Sequence, residues 1–157
     1  MQDITLRDAT DADIARMHEL DEVCFEEPFR FDLRSMRGFV RETGAITIVA
    51  ESGGHSWRQM CGFVLANAPR RGSLESAYLT TLDVHPEHRR GGLARRLMRE
   101  AERRVAAAGS SFVTLHVYLG NSGAISFYEA MGYGRVGLAE DFYGPGLDAW
   151  VYGKALP

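Results

Sequence analysis

Two hydrophobic rhythms alternate along the chain. Ile4 to Thr10 (ITLRDAT) repeats every second residue and predicts an opening strand. From Asp11 to about Val23 the period lengthens: Ile14, Met17 and Leu20 share one face of a helix that Thr10 can cap. The aromatic loop CFEEPFRF and a second short helix come next. Ala45 to Ser52 is β-rich, GGHS marks a hairpin turn, and the run from Trp57 to Ala68 returns as a strand. A longer strand is expected from Ser73 to Pro86, followed by a helix that stops at Gly109. Ser111 to Leu119 is strongly strand-like. Asn121 can cap a helix over SGAISFYEAM, and Gly132 can end it. YGRVGLAEDFY and LDAWVYGKAL then predict two closing strands joined by the turn GPG.

The order β-α-α-β-β-β-α-β-α-β-β implies an α/β (α+β layered) sheet in a single domain over residues 1–157. With 157 residues, 45% hydrophobic and 25% charged, the chain can build one real core. No run approaches the roughly 20 apolar residues of a membrane span. The first residues, MQDITLRDATDADIARM, are too polar for a signal peptide. Cys24 and Cys61 have neither disulfide-framework nor metal-ligand spacing and read as buried thiols. The expectation is a cytoplasmic protein with no bound metal and no membrane partner. The net charge of −3 gives no global pull toward nucleic acid.

Charge is instead concentrated locally. Arg89, Arg90, Arg95, Arg96, Arg99, Arg103 and Arg104 all lie in one turn and the helix after it. The turn is Arg89-Arg90-Gly91-Gly92, and Leu93 and Ala94 open the helix. Gly91 and Gly92 allow close backbone approach. The helix start offers free N–H groups and its positive dipole end, and Arg89 and Arg90 add charge. Such a turn suits a phosphate, and a cofactor diphosphate in particular. The remaining arginines alternate with Glu100 and Glu102, which also describes a solvated helix face.

A second signal lies in LHVYLGNSGAISFYEAMGY, Leu115 to Tyr133, where a strand leads through Asn121 into a helix carrying Ala124, Phe127 and Tyr128. With both segments in this order, nearly the whole chain resembles the GNAT family of N-acetyltransferases. The basic glycine turn is similar to that family's acetyl-CoA pyrophosphate site, and the Asn-x-x-Ala-x-x-Phe-Tyr run to its second motif. The resemblance implies a mixed sheet of about seven strands, with helices on both faces, splayed after the strand ending at Val84. Pantetheine would pair with the backbone of Leu82, Asp83 and Val84. The diphosphate would rest on Arg89, Arg90, Gly91, Gly92, Leu93 and Ala94, with Asn121 and Tyr128 completing the cofactor site. Ala94 stands where glycine is commoner in the family.

LHVYLGNSGAISFYEAMGY, CFEEPFRF and DFYGPGLDAWVYGKAL further resemble protein N-terminal acetyltransferases, including the ribosomal-protein alanine type. By that resemblance Tyr128 is the acid that protonates the leaving thiolate. The ribosomal-protein enzymes carry glutamate where this chain has His116. Other N-terminal acetyltransferases have histidine there and a tyrosine on the preceding strand, the position of Tyr78. His116 is thus the candidate base, with Tyr78 beside it and water as a relay. Alternation in TLHVYL puts Leu115, Val117 and Leu119 on one face and His116 and Tyr118 on the other. Phe25, Pro28, Phe29 and Phe31, with Phe142 and Tyr143, would flank the acceptor, although several of these rings read equally well as core.

Acid–base chemistry then bears on the substrate. An α-amine with a pKa near 7.7–8.0 is roughly a quarter neutral at about pH 7.4, whereas a lysine near 10.4 is neutral at about one part in a thousand. A histidine base near 6.5 suits the first. The expected acceptor is a protein or peptide N-terminus, a ribosomal protein being one candidate, and the enzyme a monomer or homodimer. Two alternatives stay open: a small-molecule amine (polyamine, amino acid or antibiotic), or a non-catalytic acetyl-CoA-binding module.

Overall fold

A computed structural model describes residues 3–53 and 59–157. Residues 54–56 of the GGHS turn and the start of the strand at Trp57 lie outside the described residues. Among the described residues seven strands form one mixed sheet: β1 (Ile4–Asp8), β2 (Ala45–Ser52), β3 (Gln59–Asn67), β4 (Ala77–Val84), β5 (Phe112–Tyr118), β6 (Gly134–Ala139) and β7 (Ala149–Ala155). Their order across the sheet is β1-β2-β3-β4-β5-β7-β6. The β4–β5 pair is parallel, and the other neighbours among these strands run antiparallel. Four helices among the described residues complete the element order expected from periodicity: α1 (Ile14–Cys24), α2 (Leu33–Arg41), α3 (Leu93–Ala107) and α4 (Ser122–Ala130). Among the described residues no helix is long and apolar enough to cross a membrane.

The helices cover both faces, and each face has its own core. Met17 and Leu20 of α1 and Met36 of α2 pack on Val49, Phe63 and Leu65. On the other face Leu97, Met98, Ala101 and Val105 of α3 meet Ile48, Val64, Leu79 and Leu115, and Phe127 and Tyr128 of α4 pack against them. β3 is buried along nearly its whole length, as a strand covered on both sides must be.

Local chemistry sets the element ends, with four departures from expectation. Thr10 opens a short 3-10 turn at Asp11–Asp13 before α1 begins, and the Asp13 carboxylate accepts from the Thr10 N–H at 2.7 Å. The strand expected from Ser73 begins only at Ala77: Ser73 N–H closes a turn onto Arg70 O and the Ser73 hydroxyl accepts from Glu75 N–H. Leu119 lies beyond β5 and is exposed rather than facing the core with Leu115 and Val117. The link from β6 to β7 is longer than the GPG turn. Asp148 accepts from Asp141 N–H and Asp141 from Gly146 N–H, so two aspartates hold an ordered loop over residues 140–148.

Candidate functional site

The site begins where the sheet comes apart. β4 pairs with β5 only through Ala77–Leu79 against Val113–Leu115. On its other side β4 stays paired with β3 as far as Val84, with a register shift that leaves Thr80 unopposed. A bulge at that point bends and twists the strand, which explains why β4 leaves β5 just there. Backbone from Thr80 to Val84 is left facing a gap. A cleft of about 960 Å³ runs from this gap to the aromatic loops.

At the lower end of the gap lies the basic glycine turn. Arg90 and Gly92 both have positive φ, 67° and 83°. A Cβ on Gly91 or Gly92 would meet no atom within 4 Å, so bare backbone faces open space. The α3 ladder starts with Arg96 N–H on Gly92 O at 3.1 Å, and the N–H groups before it have no acceptor inside the helix. This donor set fits a phosphate-bearing cofactor, and it is made of main chain. Arg89 turns back and donates through Nε to Val84 O at 3.0 Å, stiffening the strand exit. Further along α3 the arginines tie the fold together: Arg103 and Arg104 pair with Glu100, and Arg96 donates to Ile4 O. Asn121 caps α4, accepting from Ala124 N–H at 3.1 Å, and lies on the cleft wall.

Above the gap, side chains take over. Tyr78 Oη and His116 Nδ1 are 2.7 Å apart. Phe142 stacks on the imidazole, with ring centroids 3.9 Å apart and planes within 7°. Burial holds the His116 pKa below its ordinary value, so the ring is neutral at neutral pH. Burial also raises Tyr78 and Tyr128 well above the usual phenol value, with Asp83, Tyr143 and Tyr78 adding to the shift at Tyr128. Both phenols keep their protons. Tyr128 comes from α4, across the splayed sheet from His116, and the two share the cleft.

The structure brings most of the expected residues together. Phe25, Phe29, Phe31, Leu82, Val84 and Arg89 line the cleft, as do Arg90, Gly92, Leu93, Ala94, Tyr128 and Tyr143. Others stand apart from its wall. Pro28 is exposed and lies outside the cleft, because its loop turns Phe29 inward instead. Tyr78 sits behind His116, Phe142 covers the imidazole from the loop side, and the Asp83 side chain is buried away from the cleft. Phe31 also serves the α1–α2 core, in edge contact with Phe39 at 5.1 Å. Tyr118 was not among the expected residues, yet Phe29 packs on it at 4.8 Å and Tyr143 at 6.2 Å. The two-residue step from His116 along β5 was the signal for it. Cys61 is buried as expected, but Cys24 is only half-buried and reaches the cleft, its thiol donating to Val84 O at 3.4 Å.

Residues 14–133 match the model of the acetyltransferase (GNAT) family, and the chain belongs to that family. With membership comes its class of enzyme, an acetyl-CoA-dependent N-acetyltransferase. Two curated relatives are catalytic subunits of N-terminal acetyltransferase A complexes. Ard1 from Schizosaccharomyces pombe is 31% identical over 101 residues, a match covering 61% of this chain and 56% of the relative. NAA10 from Arabidopsis thaliana is 27% identical over 155 residues, covering 98% of this chain and 78% of the relative. The fold is also that of Arabidopsis thaliana NAA60 solved with a bisubstrate analogue: TM-score 0.82, 23% identity, 99% of this chain and 100% of the other covered.

Proposed function

We propose that the protein transfers the acetyl group of acetyl-CoA to the N-terminal α-amine of a protein or peptide. The observation that carries this reading is the His116–Tyr78 pair set across one cleft from Tyr128. Likeness to N-terminal acetyltransferase subunits supports the kind of acceptor.

The N–H groups of the Arg89–Ala94 turn and the α3 N-terminus would hold the diphosphate, and the Leu82–Val84 edge that β5 leaves unpaired the pantetheine. Asn121 fixes the start of α4 on the opposite wall. When bound, acetyl-CoA supplies an activated thioester carbonyl to a neutral amine. His116 takes the proton that the amine sheds, directly or through one water. For that its Nε2 must hold the lone pair, so Nδ1–H donates to Tyr78 Oη. The Tyr78 hydroxyl keeps its proton and is then free to donate a hydrogen bond to a water in the relay. Tyr128 delivers its proton to the departing sulfur, and burial keeps that proton in place until the sulfur carries charge. A base with a pKa below 6.5 can compete for the proton of an α-ammonium near 7.7–8.0 but scarcely for that of a lysine near 10.4. Phe25, Phe29 and Tyr143, with Phe142 on His116, would flank the first residues of the acceptor.

Thiol release from acetyl-CoA with matched peptides tests the reading. One set has free N-termini and varied first residues; the other has blocked N-termini and an internal lysine. Turnover confined to the first set and graded by first residue is expected. Faster reaction at lysine would overturn it. Turnover only with small amines would replace the acceptor, and tight acetyl-CoA binding without any turnover would leave a binding module.

A further inference from the structure

Among the described residues two aspartates are buried almost completely: Asp21 of α1, 0% exposed, and Asp83 of β4, 1% exposed. Each has one oxygen satisfied. Phe31 N–H donates to Asp21 Oδ2 at 2.7 Å, and the Thr81 hydroxyl donates to Asp83 Oδ1 at 2.7 Å. The other two oxygens, Asp21 Oδ1 and Asp83 Oδ2, have no donor. The two side chains are close neighbours: both charges act on the Cys24 thiol, whose bond to Val84 O ties this turn of α1 to the end of β4. Two ionised carboxylates placed this way repel and are left unsatisfied; one shared proton cures both faults.

We propose that Asp21 and Asp83 are a positioning pair bridged by a single proton, Asp83 Oδ2 donating to Asp21 Oδ1, which fastens the aromatic wall at Phe29–Phe31 to the splayed end of β4. The role assigned to that wall rests on the acceptor reading above; the proton bridge does not. Asp21 grips the loop through Phe31 N–H, and Phe29 in the same loop packs on Tyr118 and Tyr143. A second stitch runs beside the first, from the Cys24 thiol to Val84 O. Burial is the main cause that lifts the Asp83 pKa well above the carboxylate range, and the bond to Asp21 and its charge come next. The other titratable or charged groups facing the pair are Cys24 on α1, Arg89 beyond β4 and Tyr128 on α4. Arg89 favours the ionised form, but more weakly than burial opposes it.

Asp83 binds its proton more tightly folded than unfolded, so its contribution is fully present below 3.8 and is lost as pH rises toward the folded value. Asp83→Asn keeps a donor for Asp21 and an acceptor for Thr81 but does not titrate. Its Tm should gain on wild type by about 4 °C per pH unit across that window. The carbonyl stretch of a protonated carboxyl should persist in wild type above the ordinary carboxylate range and vanish in the same variant. Asp21→Ala should raise the acceptor KM about tenfold, with acetyl-CoA affinity within about twofold, and Asp21→Asn should restore it. If Asp21→Ala does not fold, the two Asn variants still decide the matter. Parallel Tm–pH curves for wild type and Asp83→Asn would overturn the bridge. An Asp21→Asn as damaged as Asp21→Ala would overturn it too. Wild-type protein that turns over no peptide, yet shows the diverging curves and the carboxyl stretch, would sink the acceptor reading and uphold the bridge.

Discussion

The two ends of the cleft are built from different materials. At the notch, a strand edge, two bare glycines and an uncapped helix start present main-chain N–H and C=O groups. At the aromatic end, side chains from β4, β5 and two distant loops converge: His116, Tyr78 and Tyr118 with Phe29, Phe142 and Tyr143. Backbone cannot be mutated away, and it suits a ligand that never changes. Side chains can be exchanged one at a time, and they suit acceptor choice and proton traffic. Substitutions at the notch should therefore act on acetyl-CoA binding, and those at the aromatic end on turnover and the acceptor.

Tyr128 stands between the two ends and offers the largest test. Tyr128→Phe keeps the ring that packs on Tyr133 and Phe127 and removes the hydroxyl with its proton. Turnover should fall roughly 100-fold, with acetyl-CoA affinity within about twofold. Thiol release and calorimetric titration check the two halves. A matching loss of affinity would place the hydroxyl in binding instead of proton transfer.

How far each end can be read in the sequence follows from the same division. Main-chain sites are encoded locally: R-R-G-G-L-A is contiguous, and β2 runs from Ala45 to Ser52 as its pattern predicts. The aromatic wall is encoded by contacts between remote segments. Nothing near Tyr118 says that Phe29 will lie on it, and nothing in CFEEPFRF says that Phe29 turns inward while Pro28 points out. The Asp21–Asp83 contact is hidden for the same reason: an aspartate on a helix and another on a strand read as ordinary surface charge until α1 crosses β4. The bulge at Thr80, which opens the notch, follows from β3–β4 register and leaves no mark in composition.

His116→Gln is the next largest effect and carries a direction in pH. The lowered pKa keeps the wild-type imidazole neutral down past 6.5, so the variant should lose most where the amine is least deprotonated. About tenfold loss of kcat/KM is expected near neutral pH, shrinking toward pH 9. A ratio constant across the profile would remove His116 as the base. The folded state holds fewer protons on His116 than the unfolded chain, so wild type loses stability as pH falls below 6.5 and the variant does not.

At the notch, Gly92→Val tests whether main chain is what matters. Its φ of 83° is strained for any L-residue, costing about 1–2 kcal/mol, and the new side chain would stand in the open space before the turn. Acetyl-CoA affinity should drop about tenfold. In material trapped at saturating acetyl-CoA, the acceptor KM should change little. An altered acceptor KM with unchanged cofactor affinity would reverse the division between the two ends.

The smallest effect belongs to Phe142, and it is the most diagnostic of how the aromatic end works. Its ring is 47% exposed, so Phe142→Ala should cost less than about 1 kcal/mol of stability. Stacked aromatic rings contribute about 0.5–1.5 kcal/mol beyond buried area. The stack on His116 excludes water from one face of the imidazole. Removing it should hydrate the ring and let its pKa climb back toward 6.5. The acceptor KM should rise about threefold and the acid limb of the rate profile should move to higher pH. Proton NMR of the His116 ring reads the first change and peptide kinetics the second. If the KM rises while the imidazole titrates as before, Phe142 contacts the acceptor alone; if the titration moves without the KM, it serves only as a lid on the base.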